Sequence, residues 1–335
     1  MSKRYHLYAI GNALVDTELE VSDDFLAHME IGKGMMTLVD EARQAALVEA
    51  LNSGGVLHRR ASGGSACNTV VAARYFGANT YYACKVADDE TGDFFVDDLR
   101  AAGVDTNMMN GGRPQGVSGK CLVMVTPDAE RTMNTYLGIS ETVSVSELDE
   151  DAIRTSEFVY IEGYLVTSDS GRAAAIRLRE LAEQHGVRTA LTFSDPAMTK
   201  FFRDGLEQML GNGVDLLFCN EEEALHFTGA ETLDDAVASL AKSCRQLVVT
   251  CGARGALVCH GNERLHIDPV PVKAVDTNGA GDMFAGAFLY AITHGHSLAE
   301  AGRLASAASA HVVSDFGPRL RPDAHAALRQ QILEK

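Results

Sequence analysis

Apolar residues in this chain follow two rhythms. Short apolar runs at 5–10, 79–86, 158–161, 187–193, 214–219, 247–250 and 256–260 read as strands covered on both faces. Between most of them lie longer stretches whose apolar residues recur at helical spacing. These predict helices over 41–51, 65–75, 88–102, 170–185, 198–210, 233–244 and 298–312, with a further apolar helix after 282 that meets no breaker until Gly295. Strand and helix in alternation imply a parallel sheet with right-handed crossovers. Several segments break the rhythm. Residues 13–21 alternate apolar and polar, the pattern of a sheet with one face in water, and 34–39 is another short strand-like run. Runs at 104–110, 116–127 and 131–137 have turn chemistry between them and no helix, with Pro127-Asp128-Ala129-Glu130 as a hairpin turn. The chain is therefore expected to build an α/β core from 1–12, 40–103 and 141–335, and a small β lid from 13–39 and 104–140.

Composition narrows the classes. The chain has 335 residues, 46% of them hydrophobic and 22% charged, enough for one large domain with a small appendage. A net charge of −17 argues against nucleic acid as a partner, because phosphate backbones call for clusters of Lys and Arg. The seven cysteines form no C-x-x-C pair, so they read as free thiols of a reducing cytoplasm and not as metal ligands. The first residues run straight into a strand. No apolar run approaches the ~20 residues of a membrane span, so neither a leader nor a membrane contact is expected.

The candidate chemistry gathers at 272–282. A strand expected over 272–275 leads into Asp276-Thr277-Asn278-Gly279-Ala280-Gly281-Asp282 and then into the apolar helix. Two glycines a residue apart let consecutive N–H groups point out of a helix N-terminus, which makes an anion site. Asp282, in the first turn, is placed to take a proton from a hydroxyl that attacks phosphorus. Elsewhere the residues alone leave two readings open. Asn12 and Asp16 flank the exit to the lid and are common turn residues. Gly63-Gly64 before a helix permits close approach to a ligand, while Ser65 reads equally as an N-cap. Gly163-Tyr164-Leu165 follows a strand end, the ligand edge of an open α/β sheet. Arg131 at a hairpin end is ordinarily solvated, and Asn220-Glu221-Glu222-Glu223 is an ordinary acidic helix start.

Taken together, these motifs resemble the ribokinase (PfkB) family of carbohydrate and nucleoside kinases over nearly the whole chain. The DTNGAGD string is similar to the family's DTxGAGD, Gly63-Gly64-Ser65 with Asn68 to its GGSxxN, and Asn220-x-x-Glu223 to its N-x-x-E. Thr250-Cys251-Gly252-Ala253-Arg254-Gly255 is similar to its T-x-G-x-x-G loop. The resemblance implies a three-layer α/β/α core with a mostly parallel sheet and a β-sheet lid. It implies an ATP-dependent phosphotransferase with Asp282 as base and the N–H groups of Gly279, Ala280 and Gly281 as the anion hole. Asn12, Asp16, Gly63, Gly64, Asn68 and Tyr164 would bind the acceptor, and Arg131 a phosphate. Thr250, Gly252, Gly255 and Thr277 would hold nucleotide. Asn220 and Glu223 would hold Mg²⁺ through water, and Asp276 would support a K⁺ ion.

Within that family, GNALVD at 11–16 resembles the adenosine-kinase-like members. A nucleoside is therefore the expected acceptor, a free ribose- or fructose-like sugar the alternative, and Met36, Leu38, Val123 and Tyr136 the expected faces for a purine. Leu165 stands where such members tend to carry a second aromatic, so a free sugar stays in play. A Walker loop, a G-x-G-x-x-G after the first strand and H-E-x-x-H are all absent from the sequence. The rival from another class is a silent sugar- or nucleoside-binding sensor. Against it stands Asp282, whose charge would repel a phosphate in a site meant only to bind one. Either a monomer or a homodimer through the lid is compatible with this reading.

Overall fold

A computed structural model of the chain describes residues 4–54, 56–109, 112–128 and 130–334. In chain order its strands are β1 (Tyr5–Ile10), β2 (Leu14–Glu20), β3 (Met36–Leu38), β4 (Val56–Gly63), β5 (Thr80–Ala83), β6 (Asp105–Thr106), β7 (Gly119–Val125), β8 (Arg131–Tyr136), β9 (Ser156–Ile161), β10 (Arg188–Thr192), β11 (Val214–Asn220), β12 (Cys244–Thr250), β13 (Ala256–His260) and β14 (Glu263–Ile267). Nine of them form one sheet in the order β14-β13-β12-β11-β10-β9-β1-β5-β6. It is parallel from β12 to β6, with β13 and β14 added antiparallel at one edge.

Helices cover both faces of this sheet, which is why its central strands read as continuous apolar runs. Leu7 and Ala9 of β1 face the helices Ser65–Phe76, Glu90–Ala102, Ala280–Thr293 and Leu298–Val313. Tyr8 and Ile10 face the opposite layer, which includes Asp169–Gln184 and Arg203–Leu210. The result is the three-layer α/β/α core expected from the sequence. No helix among the described residues is long and apolar enough to cross a membrane.

The remaining five strands form the second sheet, in the order β3-β8-β7-β2-β4. Its membership departs from expectation in two places. The run at 104–110 was expected in the lid, but Asp105 and Thr106 pair with Tyr81 and Tyr82 of β5 in the large sheet, and Asn107–Met109 is a 3₁₀ turn. Asn110 lies outside the described residues, as does Ala129 of the expected 127–130 turn, where Thr126 N–H donates to Glu130 O at 3.0 Å. In exchange, β4, which hydrophobic patterning had not marked as a strand, forms one edge of the lid against β2. The polar face of β2 expected in water is covered too, with Asp16 and Glu18 buried. On its other face Leu19 packs with Val21, Leu26, Leu47, Leu51, Leu122 and Met124 beneath the helices Asp23–His28 and Glu41–Gly54.

Smaller departures have local causes. The helix expected over 198–210 is two, Pro196–Phe201 and Arg203–Leu210, the first started by Asp195 accepting from Ala197 N–H. The helix expected to reach Cys244 stops at Leu240, because Cys244 already belongs to β12. Residues 272–275 are not a strand. That segment runs beside the end of helix Leu298–Val313, with Val275 N–H donating to Val313 O at 2.7 Å. A closing helix, Pro322–Leu333, was not anticipated.

Candidate active site

The C-terminal ends of β1, β9, β10, β11 and β12 open toward the lid. This is the edge at which open α/β sheets bind ligands. Between sheet and lid lies a cavity of about 220 Å³. It is lined by Asn12, Asp16, Gly64, Asn68, Arg131, Tyr164, Asn220, Glu223, Thr250, Thr277, Gly279, Ala280, Gly281 and Asp282. Residues scattered from 12 to 282 therefore converge on one volume. Four expected site residues, Gly63, Gly252, Gly255 and Asp276, are not on its wall.

The floor is the N-terminus of helix Ala280–Thr293. Gly279 precedes it with φ 71°, a left-handed conformation, and a Cβ there would meet the backbone of Pro318 at 2.5 Å. Only glycine serves at this position. Met283 N–H is the first clear bond back, to Gly279 O at 2.8 Å, while Ala280 N–H reaches Thr277 O at 3.4 Å. The amides of Gly281 and Asp282 ahead of it have no residue four back within the helix to donate to, the anion-binding geometry of a helix start. Asp276, fully buried, braces this loop from below. Its Oδ1 accepts Asn278 N–H at 2.9 Å and its Oδ2 accepts Gly317 N–H at 3.0 Å.

Asp282 is held at both oxygens. Ser65 Oγ donates to Oδ1 at 2.6 Å, and Asn68 Nδ2 donates to Oδ2 at 3.0 Å. Burial raises its pKa, and these two hydrogen bonds with Arg131 and Arg319 work in the other direction. Ser65 is therefore not the helix cap. Gly64 occupies that position with φ 96°, where a Cβ would collide with Asn12 O. Asn68, expected to serve only the acceptor, also holds the base candidate.

The lid side carries a different chemistry. Asp16, in β2 between β4 and β7, is buried, 6% exposed, and its carboxyl accepts no hydrogen bond among the described residues. Burial and the neighbouring Glu18 push its pKa up to about 8. Leu14, Met36, Leu38, Cys121, Met133 and Leu137 line the same cavity with apolar surface. Of the four residues expected to face a purine, Met36 and Leu38 line the cavity. Val123 is buried against Cys121 and Val125, and Tyr136 turns outward to Glu41. Arg131 enters from the start of β8, its Nη1 donating to Asn278 Oδ1 at 3.2 Å. No carboxylate among the described residues lies within 4.0 Å of it, so its charge is directed into the cavity, toward Asp16, Asp282 and Glu223.

On the third side, Asn220 and Glu223 form a reciprocal cap. Asn220 Oδ1 accepts Glu223 N–H at 2.8 Å, and Glu223 Oε2 accepts Asn220 N–H at 2.9 Å. The cap does not exhaust the pair, because both also line the cavity. Burial first, and Asp195 among the nearby charges, push Glu223 up to about 8, and Tyr164 Oη donates to the same Asp195 at 3.3 Å. A divalent cation would relieve that cost. One carboxylate and one amide near a phosphate site suit Mg²⁺, which keeps most of its water, better than they suit an ion that needs an all-protein cage. No group of three or more metal-ligating side chains exists among the described residues. Thr250 ends β12 at the wall, while Gly252 and Gly255 shape the following turn with φ 55° and 86°.

Two residues that sequence reasoning passed over stand beside this site. Glu162 is buried at the end of β9, accepting Asn12 N–H at 3.1 Å and Ala66 N–H at 2.7 Å, and burial pushes it up to about 8. Its place before Gly163 at a strand end was the available signal. Arg319 is buried in the C-terminal segment, and its Nε donates to Asn68 Oδ1 at 3.0 Å. Nothing in the sequence around it marks a ligand edge.

The profile of the pfkB family carbohydrate kinases matches residues 39–324. An adenosine kinase from Sinorhizobium meliloti is 34% identical with TM-score 0.92, covering 98% of this chain and 99% of that one. A probable sugar kinase from Rhizobium etli is 32% identical with TM-score 0.90, covering 98% of each. The adenosine kinase of Saccharomyces cerevisiae is 28% identical over 93% of this chain and 96% of its own.

Proposed function

The chain belongs to the pfkB family of carbohydrate kinases and is an ATP-dependent kinase of a nucleoside or a sugar, and we propose that its acceptor is adenosine or a related nucleoside. The observation that carries this is Asp16. A buried carboxyl without a donor, set among apolar lid residues, suits a ribose diol joined to a flat base. Close similarity to adenosine kinases from two organisms supports the same choice.

In this reading Asn12 and Asp16 hold the ribosyl hydroxyls, and Gly64 and Tyr164 bound the same pocket. Gly63 acts from behind, by keeping Asp16 in place. The primary hydroxyl faces Asp282, which takes its proton as the oxygen attacks phosphorus. The N–H groups of Gly279, Ala280 and Gly281, with Arg131, meet the charge that builds on the transferring group. Such donors act where charge develops and need no reorganisation during the reaction. Thr250 and Thr277 border the nucleotide, and Gly252 and Gly255 fix the turn that carries it. Asn220 and Glu223 would hold Mg²⁺ through water, and the ion supplies neutralisation of phosphate charge when bound. Closure of the lid, built on β2, β3, β4, β7 and β8, excludes water.

A K⁺ ion beside the anion hole would share Asp276 with two N–H groups already bonded to it. Rates in K⁺ against Na⁺ buffer test that role. One chain carries every residue named, so the reading holds for a monomer and for a homodimer through the lid alike. Use of ATP agrees with the cytoplasmic placement we propose. The deciding experiment is ADP release across adenosine, other nucleosides, ribose and fructose. Adenosine is expected to show the highest kcat/KM, and a free sugar exceeding every nucleoside tenfold would overturn the choice.

A further inference from the structure

Behind the base lies a second layer that none of the motifs describes. Arg319 is 7% exposed and reaches three other segments. Its Nε donates to Asn68 Oδ1 at 3.0 Å, its Nη1 to Asp98 Oδ2 at 3.0 Å, and its Nη2 to Ser62 Oγ at 3.0 Å. Asp98 in turn accepts from Ser62 N–H at 3.0 Å. The guanidinium thus ties helix Ser65–Phe76, helix Glu90–Ala102 and the end of β4 to the C-terminal segment.

The geometry points to Arg319 as a positioning residue, which fixes the side-chain amide of Asn68 so that its NH₂ group is always turned to Asp282. Guanidinium has donors only, so the atom of Asn68 facing it must be oxygen. The nitrogen is then forced toward Asp282, where it donates to Oδ2 at 3.0 Å. Without Arg319 the amide keeps a single anchor, Asp282 itself, and the two side chains gain room to rotate together. Asp282 would then be held from outside that pair only by Ser65, and its attack geometry would loosen.

The same short segment steadies the anion hole. Gly317 N–H donates to Asp276 at 3.0 Å, and Pro318 packs against Gly279 where a Cβ would not fit. Three consecutive residues, Gly317 to Arg319, therefore hold the base and the phosphoryl-binding loop in one register, although none of the three lines the cavity.

This inference rests on Asp282 as the base, and the test separates the two. A double-mutant cycle is built from Arg319→Met and Asn68→Ala, with Asp282→Asn measured beside it. Arg319→Met is expected to lower kcat about 10–100-fold with acceptor KM changed less than about threefold, the mark of an interaction made in the transition state. Asn68→Ala is expected to lower kcat by a similar factor and, because the residue also lines the cavity, to raise acceptor KM. Because one acts through the other, the double variant should lie within about threefold of the worse single variant and not at their product. Far-UV circular dichroism and ATP affinity report the fold. Should Arg319→Met fail to fold, Arg319→Lys, which keeps the charge and loses the fork, enters the same cycle with the same expectation. Multiplicative losses, or a loss confined to KM, overturn the role of Arg319 while leaving Asp282 untouched. An active Asp282→Asn overturns the base itself.

Discussion

Gly63 lies so close over the carboxyl of Asp16 that a Cβ added to it would stand 2.1 Å from the Asp16 Cγ. The two residues sit on adjacent antiparallel strands, β4 and β2, near the end where both reach the cavity. The pairing gives Gly63 a function without a place on the wall. Gly63→Ala should displace the Asp16 carboxyl and raise acceptor KM at least tenfold, with ATP affinity within about threefold of wild type. Isothermal titration with ATP and initial rates against acceptor concentration check both halves. Unchanged acceptor KM would mean that the Asp16 carboxyl does not touch the acceptor.

Asp282→Asn should preserve fold and nucleotide binding and lower kcat by ~10²–10⁴, the usual cost of losing a general base. Because burial raises the pKa of Asp282, kcat of the wild type should climb with pH through a limb above the ordinary carboxylate range. A flat kcat from pH 5 to 8, or more than a tenth of wild-type turnover in the variant, removes Asp282 from that role.

Glu223→Gln separates capping from ion binding. Glutamine at this position still serves a capping box, so the helix start should survive. The charge is gone, so half-maximal rate should require at least several-fold more Mg²⁺, with acceptor KM within about twofold. An identical Mg²⁺ titration would leave the Asn220–Glu223 pair a cap and nothing else.

Three buried carboxyls, Asp16, Glu162 and Glu223, are each pushed up to about 8, mainly by burial. In the unfolded chain such groups titrate near ~4. Between those values the folded protein holds protons that the unfolded chain has released, so stability falls as pH rises from about 4.5 through about 8. The ligand-free protein should have a higher Tm at pH 5.5 than at pH 8.5. Glu223→Gln removes one of the three groups and should make the slope shallower. A Tm that rises with pH across this window contradicts the assignment.

Much of this was legible in the sequence because it is local. The turn around Gly279, the glycine at 64 and the strand–helix rhythm are written in consecutive residues, and the structure places them as their chemistry requires. What escaped the sequence is non-local. Residues 56–63 join the lid and residues 105–106 leave it because of partners far away in the chain, and hydrophobic pattern does not name partners. Arg319 contacts Asn68 across 251 positions, and Ser65 passes over its expected cap to reach Asp282 across 217. Asn220 and Glu223 show the opposite limit. The two sequence readings of that pair, cap and ligand, occupy the same geometry, so neither pattern nor distance separates them.

Asp16→Ala is the sharpest test of the acceptor. The residue stands in β2, just after the chain leaves β1 for the lid, its carboxyl buried and without a hydrogen-bond partner among the described residues, and it shares the cavity wall with Asn12. A carboxylate that accepts from two ribosyl hydroxyls makes two charged hydrogen bonds, worth ~1.5–3 kcal/mol each. At 1.4 kcal/mol per decade, losing both weakens recognition by roughly two to four powers of ten. The loss should fall on kcat/KM for the acceptor, with ATP affinity nearly unchanged. A second consequence is more discriminating. Wild type should prefer a ribonucleoside to its 2′-deoxy analogue, because the analogue leaves a buried acceptor unpaired. In Asp16→Ala the group that reads the hydroxyl is gone, and the preference should shrink toward one. The measurement is kcat/KM for both acceptors in both proteins. A wild type indifferent to the 2′-hydroxyl, or a variant that keeps the preference, would leave Asp16 a buried strand residue with no part in recognition, and the nucleoside reading without its principal polar contact.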